Sequence, residues 1–492
     1  MSATRTDVVV IGAGISGLAV GARLRSAGIR DFHILEKATD LGGTWRENTY
    51  PGCACDIPAP LYSFSFDQNK EWPELFATQP DILSYLRDSA ARQGLLASIT
   101  FGTRVNVAEW DEDEARWRVE TDQGTYLARF LVTAAGGLHT PLIPEVPGIE
   151  NFGGARFHSA SWDHSVSLAD KHVAVIGTGA SAIQFVPRIA PVVARLTIFQ
   201  RTPPWIVPKI NRTFDPKQRW LRRHIAPYRW WTRERLFWVH ESRARGFVDA
   251  AAGMPDTERL ARSHLRRQVP DEQLRAQLTP DYAIGCKRLL ISSDYYPALT
   301  RDNVALETLA PSGFGERGVL LADGTRRPLD VLIYGTGFDA QNMLGEISIS
   351  GRDGRTLAEV WKQRFQAYLG TAVHGFPNLF LVTGPNTGLG HNSQVFMIEA
   401  QAHYIAAAIR RIGRRHHTFE VRADAQERFN EWLDGRMAGT VWQRGGCRSW
   451  YQDPTTGRNT LLWPAGTLAF WARTRRLRRS DHLVDQPAAA DA

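Results

Sequence analysis

Hydrophobic positions in this chain gather in short runs rich in β-branched residues, and the runs recur in one arrangement. Asp7 to Ile11 (DVVVI) reads as a buried strand: it is almost wholly apolar and too short for a helix. Gly12-Ala13-Gly14-Ile15-Ser16-Gly17 follows at once, and Leu18, Ala19, Ala22 and Leu24 then suit a helix packed on a sheet. A second apolar run, Phe32 to Leu35, ends at Glu36. The same order returns at His172 to Ile176 (HVAVI), then Gly177-Thr178-Gly179-Ala180-Ser181-Ala182, then Leu196 to Gln200 before Arg201. Three more strand-like runs lead into glycine: Phe130 to Ala134 into Gly136-Gly137, Val331 to Tyr334 into Gly335-Thr336-Gly337, and Leu379 to Val382 into Gly384-Pro385-Asn386. A helix is expected from about Ser393. The pattern predicts an α/β protein with two Rossmann-like dinucleotide-binding domains.

The chemistry of the two repeats differs at one matched position. In each, the first glycine permits a tight turn, the second lets a pyrophosphate approach the backbone, and the third small residue lets helix and strand pack closely. Glu36 lies 24 residues after Gly12, and Arg201 lies 24 after Gly177. A carboxylate there accepts hydrogen bonds from a ribose, whereas a guanidinium suits a 2′-phosphate. The first site is therefore expected to take FAD and the second NADPH, with a solvated strand-end cation as the bland reading of Arg201. The expected organisation is an FAD domain in two parts, 1–145 and 331–450, interrupted by an NADPH domain at 146–330. A helical insertion spans about 214–282, and 451–492 forms a docking segment with a basic tail.

Composition narrows the partners. With 43% hydrophobic and 22% charged residues among 492, the chain is long enough for two or three domains with a real core. The net charge of +8 at first suggests an anionic macromolecule. It is local, however. Lys217 to Phe247 holds nine cations and two acids, and Arg473 to Arg479 adds five arginines, so the remainder is about −4. Nucleic acid is not expected as a partner. In the insertion, Trp220, Trp230, Trp231, Phe237 and Trp238 interleave with the arginines. The favoured reading is a helical cap on the NADPH domain, with or without a portal role, and membrane contact is a secondary alternative.

Four cysteines, Cys53, Cys55, Cys286 and Cys447, make no C-x-x-C pair and no disulfide framework, and are expected to be reduced. No signal peptide precedes the first strand and no run of 18 apolar residues exists, so a cytoplasmic enzyme is expected. The histidines show no metal-ligand spacing, and neither a hydrolase elbow nor a Walker loop occurs.

Two longer patterns resemble those of the Baeyer–Villiger monooxygenases, class B flavoproteins. The family fingerprint F-x-G-x-x-x-H-x-x-x-W-[P/D] is matched by Phe152, Gly154, His158, Trp162 and Asp163. A second signature, [A/G]-G-x-W-x4-[F/Y]-P-[G/M]-x3-D, is matched by Gly42, Gly43, Trp45, Tyr50, Pro51, Gly52 and Asp56. The resemblance covers about residues 5–465. It implies an FAD-dependent enzyme that consumes NADPH and O2 and inserts one oxygen next to a ketone carbonyl through a peroxyflavin, giving an ester or lactone. Oxidation of sulfur or nitrogen in small apolar substrates is the alternative. A flavin disulfide reductase would need a redox cysteine pair that Cys53-x-Cys55 does not supply.

The resemblance also implies roles. Arg288, in Gly285-Cys286-Lys287-Arg288-Leu289, matches the arginine beside the flavin, with Asp56 holding it; the bland readings are a surface cation and a turn acid. Lys287 would join Arg201 at the 2′-phosphate. Trp450, in Ser449-Trp450-Tyr451, matches a tryptophan that closes over NADP. The FAD set is Gly12, Gly14, Ser16, Gly17, Glu36, Lys37, Gly43, Thr44, Trp45, Tyr50, Asp56 and Asn386. The NADPH set is Gly177, Thr178, Gly179, Ala180, Ser181, Gln184, Arg201, Thr202, Lys287 and Trp450. His158 is read as a residue coupling the domains or as a structural histidine. The ketone, the regiochemistry and the oligomeric state are not legible, and Gly384 to Ser393 and Gly457-Arg458-Asn459 depart from better-known members around the substrate pocket.

Overall fold

The computed structural model describes residues 3–413 and 417–485; the end of the expected 451–492 segment lies outside them. Strand Thr4–Ile11 is flanked by Phe32–Leu35 and Gly124–Thr133, both parallel to it, in an eight-stranded sheet. Val8, Val9 and Val10 are completely buried, which accounts for the unbroken apolar run: a central parallel strand has core on both faces. The sheet continues through the antiparallel strands Arg116–Thr121 and Val105–Asp111 to Ser348–Ser350, and Leu379–Leu381 runs parallel to Gly124–Thr133.

The second sheet is wholly parallel, in the order Val304–Glu307, Arg195–Phe199, His172–Ile176, Val331–Tyr334, Ala155–His158. This corrects the expected boundary at residue 331, because Val331–Tyr334 belongs to the second sheet and not to the returning part of the first domain. The reason lies in the glycine turns. A Cβ on Gly12 would stand 2.8 Å from the carbonyl oxygen of Ala134, where Gly124–Thr133 exits. A Cβ on Gly177 would stand 2.4 Å from that of Gly335, where Val331–Tyr334 exits. Both glycines have φ near +100°, so each turn needs glycine twice over. Val331–Tyr334 thus does for the second turn what Gly124–Thr133 does for the first.

The insertion is built of five helices joined by turns and short loops. Helix Pro216–His224 opens with a capping box in which Asp215 accepts from the Gln218 amide, with proline at its first position. Helix Ala226–Glu241 then buries Arg233, Phe237 and His240 along one face. That face packs on the first domain. Phe237 meets Phe396 of helix Gln394–Ile412 at 5.2 Å between ring centroids, and His240 Nδ1 lies 3.0 Å from the His391 carbonyl oxygen. The insertion therefore spans the two domains rather than capping the second alone.

A polar junction closes this contact. Glu241 Oε2 accepts from Asn392 Nδ2 at 3.0 Å and lies 3.4 Å from His391 Nε2, while Oε1 accepts from the Leu468 amide. A Cβ on Gly466 would meet that carboxylate at 2.6 Å, so a side chain there would push Glu241 out of its present position. Helix Thr467–Thr474 starts at this point and packs on Gln394–Ile412. Burial alone would raise the Glu241 carboxyl, but hydrogen bonds from His391, Thr467 and Asn392 outweigh it and hold the pKa at about 2.

A carboxylate whose folded pKa lies below its ordinary value stabilises the fold above that ordinary value and loses its contribution as pH falls through the folded one. Glu241→Gln is therefore expected to cost about 1.5–3 kcal/mol at pH 7. Urea unfolding of both proteins should show that gap closing between pH 4.5, the ordinary value, and about pH 2. A gap unchanged down to pH 2 would remove Glu241 as the source.

Candidate active site

The strand exits of both sheets open into one cavity of about 2460 Å³. Single small-ligand pockets run to roughly 300–1,000 Å³, so this one has room for two extended cofactors and a substrate. Its wall carries Gly12, Gly14, Ser16, Glu36, Lys37, Gly43, Thr44, Trp45, Tyr50 and Asp56 from the first domain. From the second come Gly177, Thr178, Gly179, Ala180, Ser181, Gln184, Arg201, Thr202, Lys287 and Arg288, and Trp450 reaches it from the tail.

The first crevice fits a dinucleotide by its bareness and its hydrogen bonding. Helix Ile15–Ser26 starts after Gly14 with no side-chain cap, leaving first-turn amides for an anion. A Cβ on Gly43 would lie 3.1 Å from the Gly14 Cα, so two side-chain-free stretches meet there. Glu36 is buried, and its carboxylate oxygens accept from the amides of Ala13 and Ala38 at 2.8 and 3.0 Å. Each oxygen keeps a lone pair for a ribose hydroxyl.

The second crevice gathers positive charge. Lys287 Nζ donates to Thr202 Oγ1 at 3.0 Å. Burial lowers the Lys287 pKa, and the neighbouring charge of Arg201 lowers it further, with Asp281 acting the other way. Two cations held beside each other in a crevice favour a dianionic ligand. Gln184 joins the crevices: its amide donates to the Ala54 carbonyl at 3.0 Å, and its oxygen accepts from the Ala54 amide and the Tyr50 hydroxyl.

Arg288 and Asp56 come together from positions 232 residues apart. Nε and Nη2 of Arg288 both donate to Asp56 Oδ2, at 3.0 and 2.5 Å. The Arg288 side chain is 41% accessible, and that part faces the cavity. The charge of Asp56 raises the Arg288 pKa against the cost of burial, so the guanidinium stays protonated. The groups around it are buried. Burial pushes the Cys55 thiol and the Tyr62 hydroxyl well up, and Tyr451 up to about 12 despite the opposing charge of Arg288.

Some expected residues stand elsewhere. Gly17 is off the wall, where a Cβ would meet the Gly12 carbonyl at 1.9 Å, the close helix–strand contact expected of it. Asn386, expected to bind cofactor, is also off the wall, and its amide donates to the carbonyls of Asn459 and Leu462, both at 3.0 Å. The five fingerprint residues lie outside the cavity as well. Phe152 packs on Phe314, and Gly154 leaves room for the Asp330 carbonyl, 2.3 Å from where its Cβ would be. His158 is buried, with burial lowering its pKa and the Gly337 backbone opposing. Trp162 packs between Phe157 and Phe185, and Asp163 accepts from Ser165 in an exposed turn. The fingerprint thus builds the seam of the second domain.

The cysteine expectation is overturned in part. Cys286 and Cys447 form a disulfide, while Cys53 and Cys55 are free and buried. The partners are 161 residues apart, and nothing in local spacing marks such a pair. A Cβ on Gly445 would lie 2.7 Å from the Cys286 Cβ, so glycine beside Cys447 makes room for it. The bond ties the Lys287-Arg288 segment to the stretch that carries Trp450 and Tyr451. Tyr451, hydrogen-bonded to Arg288, and the insertion residues Leu236, Val239 and Arg243 on the wall were not singled out in the sequence. Only their being brought together by the fold distinguishes them.

Two Rossmann crevices facing one cavity, with a paired arginine at their meeting, define an oxidoreductase of the two-dinucleotide class. The family model described as pyridine nucleotide-disulphide oxidoreductase matches residues 9–226, which hold both glycine motifs. A Baeyer–Villiger monooxygenase of Pseudomonas aeruginosa is 45% identical over 99% of this chain and 93% of its own length. A closed crystal structure of cyclohexanone monooxygenase superposes with a TM-score of 0.88 at 29% identity, covering 99% of this chain and all of that one. A structure of OTEMO in complex with FAD and NADP gives 0.86 at 27%, covering 98% and 99%. The chain belongs to the Baeyer–Villiger monooxygenase family.

Thiol titration of the unfolded chain should find two groups before reduction and four after it, from Cys53, Cys55 and the opened pair. Cys447→Ser is expected to lower stability by about 2–5 kcal/mol, as for loss of a bond closing a long loop. Four thiols before reduction would contradict the pairing.

Proposed function

We propose that this Baeyer–Villiger monooxygenase binds FAD in the first crevice and NADPH in the second, and converts a small apolar ketone to an ester or lactone. The overall balance is ketone, O2, NADPH and a proton giving ester, NADP⁺ and water. Bound FAD would supply the chemistry that no side chain offers, accepting hydride from NADPH and activating O2. A neighbour in structure is named for cyclohexanone, which supports the ketone class.

The observation that carries the reading is the Arg288–Asp56 pair on the wall between the two crevices. Oxygen insertion next to a carbonyl develops negative charge on oxygen in a site that must exclude water. Arg288 offers a permanent cation there, and Asp56 fixes its orientation while leaving Nη1 outside their hydrogen bonds. Arg201 and Lys287 would hold the 2′-phosphate of NADPH, with Thr202 orienting the lysine. Glu36 would hold the ribose of FAD. Trp450, 46% exposed and tilted against the Tyr451 ring, would cover the second cofactor.

Arg288→Ala is expected to leave reduction of bound flavin by NADPH within a few-fold while ester formation falls by about 10²-fold or more, as when one fixed charge-stabilising group is removed. Stopped-flow absorbance and product chromatography read the two halves separately, and unchanged ester formation would refute the role. Arg201→Ala is expected to raise KM for NADPH by about tenfold or more, the cost of one charge-assisted contact, and to leave NADH nearly unaffected. Equal effects on both would remove the phosphate contact.

A further inference from the structure

The two helices that open the insertion present an outer surface that the oxygenation reading does not use. Trp220, Trp230, Trp231 and Trp238 are 53%, 61%, 54% and 56% exposed, and Ile225 between the helices is exposed too. Large aromatic side chains are normally mostly buried, and four so exposed within nineteen residues call for a partner.

Helix Ala226–Glu241 has three distinct faces. Arg233, Phe237 and His240 are buried against the first domain. Trp231, Arg235 and Trp238 recur at i, i+4 and i+7 as an exposed stripe on the far side. Leu236 and Val239 lie on the flank between them and line the cavity. The exposed stripe therefore runs beside the cavity wall.

The cations share the outward surface. Arg222 and Arg233 are buried, but Lys217, Arg219, Arg223 and Arg235 are exposed, and Arg235 lies 5.8 Å over the ring of Trp231. The acids of the two helices are Glu234, which is half-buried, and Glu241, which is turned into the junction with His391. Next to that junction, helix Thr467–Thr474 exposes Leu468 and Trp471, with Arg475 4.6 Å over the Trp471 ring. Tryptophan with arginine on one face of a surface helix suits a bilayer interface, where rings enter the headgroup–acyl boundary and guanidiniums meet phosphates. The excess positive charge opposes face-to-face pairing with a second copy of this chain.

We propose that helices Pro216–His224 and Ala226–Glu241 dock on the interface of an anionic phospholipid bilayer, with the Trp231 and Trp238 stripe inserted at the level of the headgroups. The contact is peripheral: no helix among the described residues is long and apolar enough to cross a membrane. It places a cavity wall beside the lipid phase. The docking does not depend on which substrate the cavity takes.

The test is co-sedimentation of the full-length yellow holoenzyme with phosphatidylcholine vesicles, with and without roughly one-third phosphatidylglycerol. At about 0.15 M salt, partition onto anionic vesicles is expected to be at least about tenfold stronger than onto neutral ones, and to fall sharply near 1 M salt. Trp231→Ser/Trp238→Ser should weaken it by about tenfold or more while turnover of a water-soluble ketone without vesicles stays within about twofold, which also reports folding. Arg219→Glu/Arg235→Glu should weaken it similarly through charge alone. Absent pelleting, equal pelleting on both vesicle types, or variants that pellet like wild type would each overturn the proposal. So would tighter binding to a DNA duplex than to anionic vesicles at the same salt, or concentration-dependent dimerisation abolished by the tryptophan variants.

Discussion

One ion pair ties the catalytic reading to the architecture. Asp56 belongs to a loop of the first domain and Arg288 to a segment leaving the insertion, and neither has any local reason to meet the other. When they meet, the carboxylate raises the guanidinium pKa against the cost of burial, and the cation is fixed on the cavity wall. The contacts around the pair serve to keep it there. Gln184 stitches the Tyr50–Ala54 loop to the second domain, the Cys286–Cys447 bond anchors the arginine segment to the tail, and the Tyr451 hydroxyl hydrogen-bonds the guanidinium.

The two domains solve one steric problem twice. Each first glycine faces a carbonyl oxygen from the exit of a neighbouring parallel strand, at a distance that forbids a Cβ. The exits aim both glycine turns into the same cavity, where one ligand can reach the other across Arg288. The insertion then braces this arrangement from outside by packing Phe237 and His240 on the first domain and passing Glu241 to the tail. A charge that looked like a property of the whole protein thus divides in two: a few cations facing the cavity, and a larger number on an outer surface beside it.

What could be read from the sequence was local. A glycine turn, its strand and its helix are contiguous, and the backbone demands of a tight turn leave few residue choices, so Gly12, Gly14, Gly177 and Gly179 were identifiable. Glu36 and Arg201 followed because a strand's length fixes where its end falls. Arg288, Asp56, Lys287 and Trp450 came through family resemblance, and all four stand on the cavity wall. What was hidden depended on long-range pairing. Val331–Tyr334 carries nothing to say which sheet it joins, Asn386 gives no sign that its amide is spent on Asn459 and Leu462, and a disulfide spanning 161 residues leaves no local spacing. The bracing by Glu241 was missed for the same reason, since its partners come from two other segments.

In the proposed reaction one atom of O2 joins a ketone beside its carbonyl. Its most direct test is the mass of the product formed by the holoenzyme from NADPH, a small apolar ketone and ¹⁸O₂ in ordinary water. An ester or lactone carrying a single ¹⁸O in the inserted position is expected. An unlabelled inserted oxygen, or labelled sulfoxide from sulfides with no ester from any ketone, would contradict it.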